Sequence, residues 1–403
     1  IYITTFVYWV GIAHSGTLLS SILYLFRARW RQSIYRAAEA MTVFAVATAG
    51  LFPIIHLGRP WVFYWLLPYP NQRWIWPDFR SPLVWDVFAV ITYLTVSALF
   101  FYTGLIPDIA AARDATTVGW RKRLYTILAV GWRGKSSQWK HFTRGYLYMA
   151  ALATSLVVVV SSVVSWDFAM ALVPGWHSTV FAPYFVGGAI FSGVAMVIAL
   201  MVPVRRVFHL ESYLTLRHFD GLAKLLLLMS FVVTYSYAAE VFMAWYSGVP
   251  AEVQGNYVMG SIQTQYWWAT AIMLTCNVLV PQALWFKRIR RSIPALFVMS
   301  ILVNIGMWFE RFVIIVTSLS KEFEPWQWGT YKPSWVEMGI LAGSFGWFLM
   351  FFLIFLRVLP PVAVAELKEV LPAPLRFRKR PVVETGRADR LLPADGLEPE
   401  AEG

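Results

Sequence analysis

Three ionisable residues, His56, Asp86 and Asp167, lie where long apolar segments of the sequence begin or end. His56 opens the motif HLGRPW, Asp86 lies in SPLVWDVF, and Asp167 lies near the end of SVVSWDF. An imidazole exchanges protons near neutral pH, and a positioned carboxylate can take a proton from a hydroxyl group. If the three side chains meet in space, they form a site that accepts protons from a bound substrate.

The composition indicates the environment in which such a site would lie. Of the 403 residues, 58% are hydrophobic and only 14% are charged, whereas soluble domains carry about a quarter charged residues. The chain is therefore expected to be an integral membrane protein. The net charge of +12 does not indicate nucleic-acid binding, because the basic residues lie between the apolar runs, as topology determinants do.

A membrane-spanning helix needs about 20 mostly apolar residues, and the sequence predicts nine such helices. The predicted segments are 1–26, 37–57, 82–107, 145–170, 183–204, 219–247, 265–286, 292–319 and 334–359. The chain opens at Ile1 inside an apolar run, so we expect further native sequence before it. The fold class predicted from this pattern is all-α and membrane-embedded.

The loops between these segments alternate between basic and nearly uncharged, which predicts the orientation. The basic loops hold clusters such as RARWRQSIYR and WRKR, while the opposite loops are rich in Trp and Pro and hold only Arg59, Arg73, Arg80, Lys321 and Lys332. Because basic loops stay in the cytoplasm, His56, Asp86 and Asp167 are expected near the outer ends of three successive helices. The tail 360–403 is expected in the cytoplasm, extended or disordered.

Each of the three residues also has a simpler explanation when it is taken alone. His56 could cap a helix at the membrane surface, with Arg59 reaching the lipid headgroups. Asp86 follows a helix start, where a carboxylate suits the helix dipole, and Asp167 could mark an exit from lipid. Polar residues that only mark helix ends are not expected to include one His and two Asp at the same membrane depth. Together the three residues therefore favour a proton-handling site.

His14 lies deeper, in the first segment, between Gly11 and Gly16. Small residues let membrane helices approach closely, so His14 could make an interhelical hydrogen bond or line a pocket. Both interpretations remain open from the sequence.

Further ionisable residues lie within the later segments. Either Glu240 and Arg311 form a structural ion pair, or these residues belong to a proton path. The candidates for such a path are Glu240, Glu310, Arg311, Lys224, Asp220 and Asn304.

The sequence lacks the patterns of several bound cofactors. Only His14 and His56 lie within apolar segments, at different depths, so a haem with two His ligands is not expected. The single Cys276 excludes a cysteine-held iron–sulfur cluster in this sequence. There is no HExxH motif and no glycine-rich nucleotide motif. Redox chemistry here would need a diffusible carrier, and a lipid-soluble quinol, whose oxidation releases two protons, is the expected one.

HLGRPW, the Trp/Pro-rich loop after it and SPLVWDVFAV together resemble the NrfD/PsrC family of polysulfide-reductase membrane subunits. Over residues 9–108 the sequence is most similar to the ActC subunit of bacterial alternative complex III, a quinol:electron-acceptor oxidoreductase. The resemblance implies ten helices, arranged as two four-helix bundles flanked by single helices. The bundles would be 1–170 and 183–319, and 334–359 would be the last helix.

The resemblance also implies a site and partners. Menaquinol or another quinone would bind in the first bundle, near the periplasmic side of the bacterial inner membrane, and the second bundle would conduct protons. By motif, His56, Asp86 and Asp167 would be quinol-binding positions, and we expect His14 and Arg59 to contribute to the same site. The partners would be a periplasmic iron–sulfur subunit, a multihaem cytochrome c subunit and a second related membrane subunit. Two alternatives stay open: the membrane anchor of a polysulfide-type reductase, and a redox-silent scaffold or proton-conducting subunit.

Overall fold

The computed structural model describes residues 1–56, 59–71, 74, 76–256, 258–262, 265–321, 324, 326, 328–360, 362–363, 377–379 and 397–399. The side chains at positions 29, 30, 56, 66, 83, 377–379 and 397–399 lie outside this description. Within the described ranges, nine helices are long and apolar enough to cross a membrane, which confirms the predicted fold class. They are α1 Tyr2–Leu25, α2 Tyr35–Ile55, α3 Pro82–Ala115, α4 Ser136–Ala169, α5 Phe181–Val207, α6 Leu216–Ser247, α7 Trp267–Trp285, α8 Ile293–Thr317 and α9 Trp335–Val358.

Shorter elements connect or interrupt these helices. A π-helical turn lies within α7 and another ends α8, at Thr275–Leu279 and Val313–Thr317 respectively. The short connecting helices are Arg29–Ser33, Pro60–Leu66, Gly119–Leu128, Pro250–Gly255, Met259–Ile262 and Lys287–Arg290. In the tail, strands β1 Phe377–Lys379 and β2 Leu397–Pro399 pair antiparallel. Most of the predicted extended or disordered tail lies outside the described residues.

The helices pack as two rings. In the first, α1 contacts α2, α2 contacts α3, α3 contacts α4, and α4 returns to α1; α5 to α8 repeat this arrangement. The rings meet where α1 packs against α5 and α8, and α9 lies against α2. That 1–170 and 183–319 act as separate functional bundles stays a prediction.

Glycine permits the closest helix approach in the first ring. A Cβ atom on Gly16 of α1 would lie 2.2 Å from the carbonyl oxygen of Ala38 in α2. Such a contact is impossible, so α1 and α2 require a residue without a side chain here. This close packing holds the wall of the first ring on which His14 lies.

Two helices extend further than the sequence predicted. The segments 82–107 and 145–170 follow from hydropathy, yet α3 continues to Ala115 and α4 begins at Ser136. The predicted segments are too short because apolar composition stops at the membrane surface, while a helix satisfies its own backbone in water as well. Arg113 fixes this extension by donating to the backbone oxygen of Trp132 at 3.0 Å.

Candidate functional site

The antiparallel helices α3 and α4 bring Asp86 and Asp167 together. Their carboxyl groups lie close enough to interact with each other. Asp86 is 6% exposed, and Asp167 is partly buried. In each residue the Oδ1 atom is buried without a hydrogen-bond partner among the described residues. The pair thus presents two buried acceptor atoms that lack a described donor.

The tryptophans that precede the two aspartates also meet. The indole rings of Trp85 and Trp166 pack edge to face, with centroids 6.2 Å apart. Trp85 also donates from Nε1 to the backbone oxygen of Phe79 at 2.7 Å, which ties the start of α3 to the preceding loop. These contacts fix the ends of both helices, so the carboxyl pair is held by rigid elements.

His56 lies at the end of the helical segment that continues α2, Leu51–His56. This segment contacts α1 and the short helix Pro60–Leu66. The side chain of His56 lies outside the described part of the structure, so its approach to the aspartate pair stays a prediction. Arg59, which directly precedes Pro60, is exposed, as expected of a residue at the membrane surface.

His14 sits deeper in the first ring and is 2% exposed. Its Nδ1 lies 2.7 Å from the hydroxyl oxygen of Ser161 on α4, and its ring packs edge to face on Tyr93 of α3. Ser161 lies six residues before Asp167, which is about 9 Å along a helix. The described hydrogen bond of His14 therefore joins helices below the aspartate pair, without reaching it.

His14 also lines a small cavity between the two rings. Ser161 and Gly11 border the cavity on one side, and Arg311 of α8 borders it on the other. Its volume is about 10 Å³, roughly the minimum for one water molecule. Both interpretations of His14, as an interhelical hydrogen-bond partner and as a cavity-lining residue, thus describe the structure.

A second buried polar cluster surrounds Glu310 and Arg311. Arg311 Nη1 lies 2.8 Å from Glu310 Oε1, and both side chains are at most 3% exposed. Tyr237 donates its hydroxyl to Glu310. Asn277 donates to the Tyr237 hydroxyl at 2.9 Å from within the π-helical turn of α7. Such turns recur at functional sites, so this cluster is a second candidate site.

The structural ion pair between Glu240 and Arg311, considered from the sequence, is wrong. Arg311 pairs with its neighbour Glu310 instead, and Glu240 accepts a hydrogen bond from Ser178. The reason is that each buried carboxylate has a polar partner close to it, Arg311 for Glu310 and Ser178 for Glu240, as buried polar groups generally do.

The other candidates for a proton path lie apart from the Glu310 cluster. Tyr8 of α1 donates to Asn304 at 3.3 Å, so this residue joins the two rings. Asp220 binds Lys224 at 2.7 Å and Arg290 at 3.0 Å, close to the opposite end of α6. The described contacts do not join these residues to Glu310.

The sequence did not predict a polar cluster in the opposite half of the first ring. Arg36 and Asp108 form an ion pair at 2.7 Å with side chains at most 2% exposed. Glu39 accepts from the hydroxyl of Tyr146 at 2.7 Å, and Arg31 donates to the same hydroxyl at 2.8 Å. The basic-loop pattern indicates only a topological role for Arg31 and Arg36. The spacing of Arg36 and Glu39 on one helix face was the signal that could have identified the cluster.

The described ranges contain no group of three or more His, Cys, Asp and Glu side chains that could hold a metal ion. The arrangement instead suits proton transfer and hydrogen bonding to a hydroxylated ligand. Fold and site together define the class: a multi-pass α-helical membrane protein with buried carboxyl groups inside its helix rings.

Comparison with known proteins identifies the family. The family described as "Polysulphide reductase, NrfD" matches residues 1–321, so this chain belongs to the NrfD family. A relative from Halobacterium salinarum, provisionally named as the membrane subunit of a dimethyl sulfoxide reductase, is 26% identical over 385 residues, covering 89% of this chain and 82% of the relative. A subunit of the selenate reductase of Mesobacillus selenatarsenatis is 27% identical over 142 residues, covering 35% of this chain and 31% of that protein.

Proposed function

We propose that this chain is the quinol-binding membrane subunit of an oxidoreductase complex, without activity on its own. A quinol, menaquinol being the expected one, would be oxidised near the outer ends of α2, α3 and α4. Each quinol gives two electrons to a partner subunit and two protons to the chain, and leaves as quinone. The observation that carries this proposal is the Asp86–Asp167 pair, with its two buried and unpaired acceptor atoms.

The aspartate pair is chemically suited to bind a quinol hydroxyl group. A hydroxyl that enters the site can donate to a free Oδ1 atom, which orients the ring for proton transfer. Because Asp86 is the more buried of the two, it receives the proton, and the partly exposed Asp167 passes it outward. His56 is assigned the second hydroxyl group because an imidazole accepts protons near neutral pH.

The other two predicted quinol-binding residues, Arg59 and His14, have supporting roles in this proposal. Arg59 faces the headgroup region, where its charge attracts the polar end of the ligand. His14, fixed by Ser161, lies about 9 Å deeper than Asp167, where it borders the inner end of the site. Both are positioning residues.

The partners are assigned to the outer loops. Exposed aromatic residues cluster there: Trp61, Trp65, Trp74 and Trp76 are each more than half exposed. Aromatic side chains are enriched at protein interfaces. We assign this surface to an iron–sulfur subunit that receives the electrons, with a multihaem cytochrome c and a second related membrane subunit further along the complex. The basic loops assign the tail to the cytoplasm of a bacterium and the quinol site to the periplasmic side of its inner membrane.

Two kinds of complex would use this site in the same way. The sequence resemblance favours alternative complex III, in which a carrier protein is the final acceptor. The names of the two relatives favour the second candidate, the membrane anchor of a terminal reductase. The final acceptor distinguishes them: the purified complex reduces either a c-type carrier or a small oxidised substrate such as a sulfoxide or polysulfide.

The test of the shared proposal is Asp167→Asn in the intact complex, with its assembly and cofactors verified. We expect menaquinol oxidation to fall by about 10²-fold or more, the usual scale for a lost proton-transfer group. The matched control is Asp114→Asn, which removes an exposed carboxylate from the far end of α3. Normal turnover in both variants would place quinol oxidation elsewhere and favour a redox-silent scaffold.

Conduction of protons by the second ring is a further part of this proposal. Glu240 and Glu310 would carry protons, with Arg311 as the charged partner of Glu310 and Asn304 between the rings. Lys224 and Asp220 would form the cytoplasmic entrance. The support is the burial of Glu310 and Arg311 beside two π-helical turns.

A further inference from the structure

The helix Gly119–Leu128, named here the connecting helix, joins α3 to α4 on the side of the basic loops. Its sequence GWRKRLYTIL places Trp120, Leu124 and Ile127 at intervals of four and three residues, on one helix face. They are 65%, 45% and 75% exposed. In the part of the chain that the structure describes, this apolar face is uncovered.

The rest of the connecting helix is fixed against the protein. Tyr125 and Leu128 pack on a small core that includes Ile109 of α3. The hydroxyl group of Tyr102, also on α3, donates to the backbone oxygen of Leu128 at 2.6 Å. These contacts prevent rotation of the helix about its axis, so the apolar face is held outward.

The same contacts set the depth of the connecting helix. Tyr102 lies about 20 residues after the start of α3 at Pro82, which is about 30 Å along the helix axis. This distance equals the thickness of the hydrocarbon layer. The chain therefore leaves the membrane along α3 and turns back, so that the end of the connecting helix meets the inner edge of the hydrocarbon.

Positive charge accompanies the apolar face. Arg121, Lys122 and Arg123 are all exposed, and Arg133 and Lys135 follow in the next loop. The nearby carboxylate of Asp114 is already paired with Arg113, at 2.8 Å. An apolar stripe flanked by Lys and Arg is typical of helices that lie in the membrane interface, where anionic headgroups attract the basic residues.

We propose that the connecting helix is an interfacial anchor that binds anionic phospholipid headgroups. Trp120, Leu124 and Ile127 enter the edge of the hydrocarbon, and the three basic residues contact the phosphates. The assignment to the cytoplasmic leaflet rests on the proposed orientation, whereas the membrane contact does not. The anchor holds the inner ends of α3 and α4, whose outer ends carry the aspartate pair.

The test uses one spin label at a time in the intact complex. Cys276 is the single cysteine of the sequence and is buried, so Cys276→Ser gives a background without cysteine in this chain. A nitroxide is attached at Ile127→Cys, or at Thr126→Cys, which is exposed but lies off the apolar stripe. The complex is placed in vesicles of phosphatidylcholine and phosphatidylglycerol, and collisions with oxygen and with a water-soluble nickel chelate are measured.

We expect the label at 127 to collide with oxygen and to be protected from nickel, and the label at 126 to show the opposite preference. If nickel reaches both labels equally, the helix lies in water and the proposal is overturned. If both labels are shielded from both reagents, a partner protein covers the face, which overturns it as well.

A second comparison tests the role of charge. In the triple variant R121Q/K122Q/R123Q, broadening of the signal at 127 by phosphatidylglycerol that carries a spin label on its headgroup should decrease. The matched control K287Q/R288Q removes two exposed basic residues from another loop and should leave that broadening unchanged. Broadening that survives the triple change would overturn the assignment to anionic headgroups.

Discussion

Replacement of Asp86 by asparagine is the sharpest perturbation of the proposed quinol site. The amide keeps the shape of the side chain and can donate a hydrogen bond to Asp167, so the contact between α3 and α4 is preserved. What is lost is one of the two neighbouring carboxyl groups that are proposed to accept protons. The variant thus separates proton transfer from packing.

The expected magnitude follows from the position of Asp86 as the first acceptor. Loss of a general base costs about 10²- to 10⁴-fold in rate, and we expect Asp86→Asn to fall in this range. Because the two aspartates act as one unit, the double variant with Asp167→Asn should be little slower than Asp86→Asn alone, as for other groups that act together.

The assay is steady-state menaquinol oxidation by the purified complex, with assembly checked for each variant. Turnover of Asp86→Asn within about twofold of the native rate would refute the assignment, since a lost general base costs at least about 10²-fold. A double variant whose loss equals the product of the single losses would refute the shared role, because independent sites combine in that way.

Three further predictions concern the helix rings. Asp108→Asn removes the carboxylate that pairs with the buried guanidinium of Arg36, and loss of one member of a buried pair costs about 3–5 kcal/mol, so the complex should unfold at a clearly lower temperature. Gly16→Ala places a methyl group 2.2 Å from the carbonyl oxygen of Ala38, so it should reduce the yield of assembled complex. Glu310→Gln removes the buried carboxylate of the second ring, so it should lower the number of protons released per quinol while quinol oxidation continues.

The first two of these predictions have matched controls. Asp114→Asn removes an exposed carboxylate from an ion pair; pairs with an exposed member contribute little to stability, so the unfolding temperature should be nearly unchanged. Gly339→Ala on α9 meets no atom within 4 Å and should assemble normally. Equal destabilisation by Asp108→Asn and Asp114→Asn, or normal assembly of Gly16→Ala, would contradict the packing described here. An unchanged proton count in Glu310→Gln would contradict a proton path through Glu310.

The membrane helices of the described ranges were predictable because each apolar segment is as long as the membrane is thick. The meeting of Asp86 and Asp167 was foreseeable in part, since they lie at the same ends of antiparallel neighbours. The ion pair of Arg36 with Asp108 was not, because the three-residue spacing of Arg36 and Glu39 marks a polar face of α2 without showing which helix that face meets.

The contacts made near helix ends could not be predicted from the sequence either. The fold of the connecting helix back onto α3 depends on a hydrogen bond from Tyr102 and on apolar packing, which no local pattern encodes. Arg311 pairs with its sequence neighbour Glu310 rather than with Glu240 on α6, and hydropathy alone does not show which of the two carboxylates lies within its reach.

The most direct test of the central claim is photoaffinity labelling of the intact complex with an azido-quinone, followed by peptide mapping. We expect the label to attach to the outer ends of α3 and α4, near Asp86 and Asp167, and excess menaquinol to prevent the labelling. Protectable labelling confined to another subunit, or to the second ring, would contradict a quinol site between these helices.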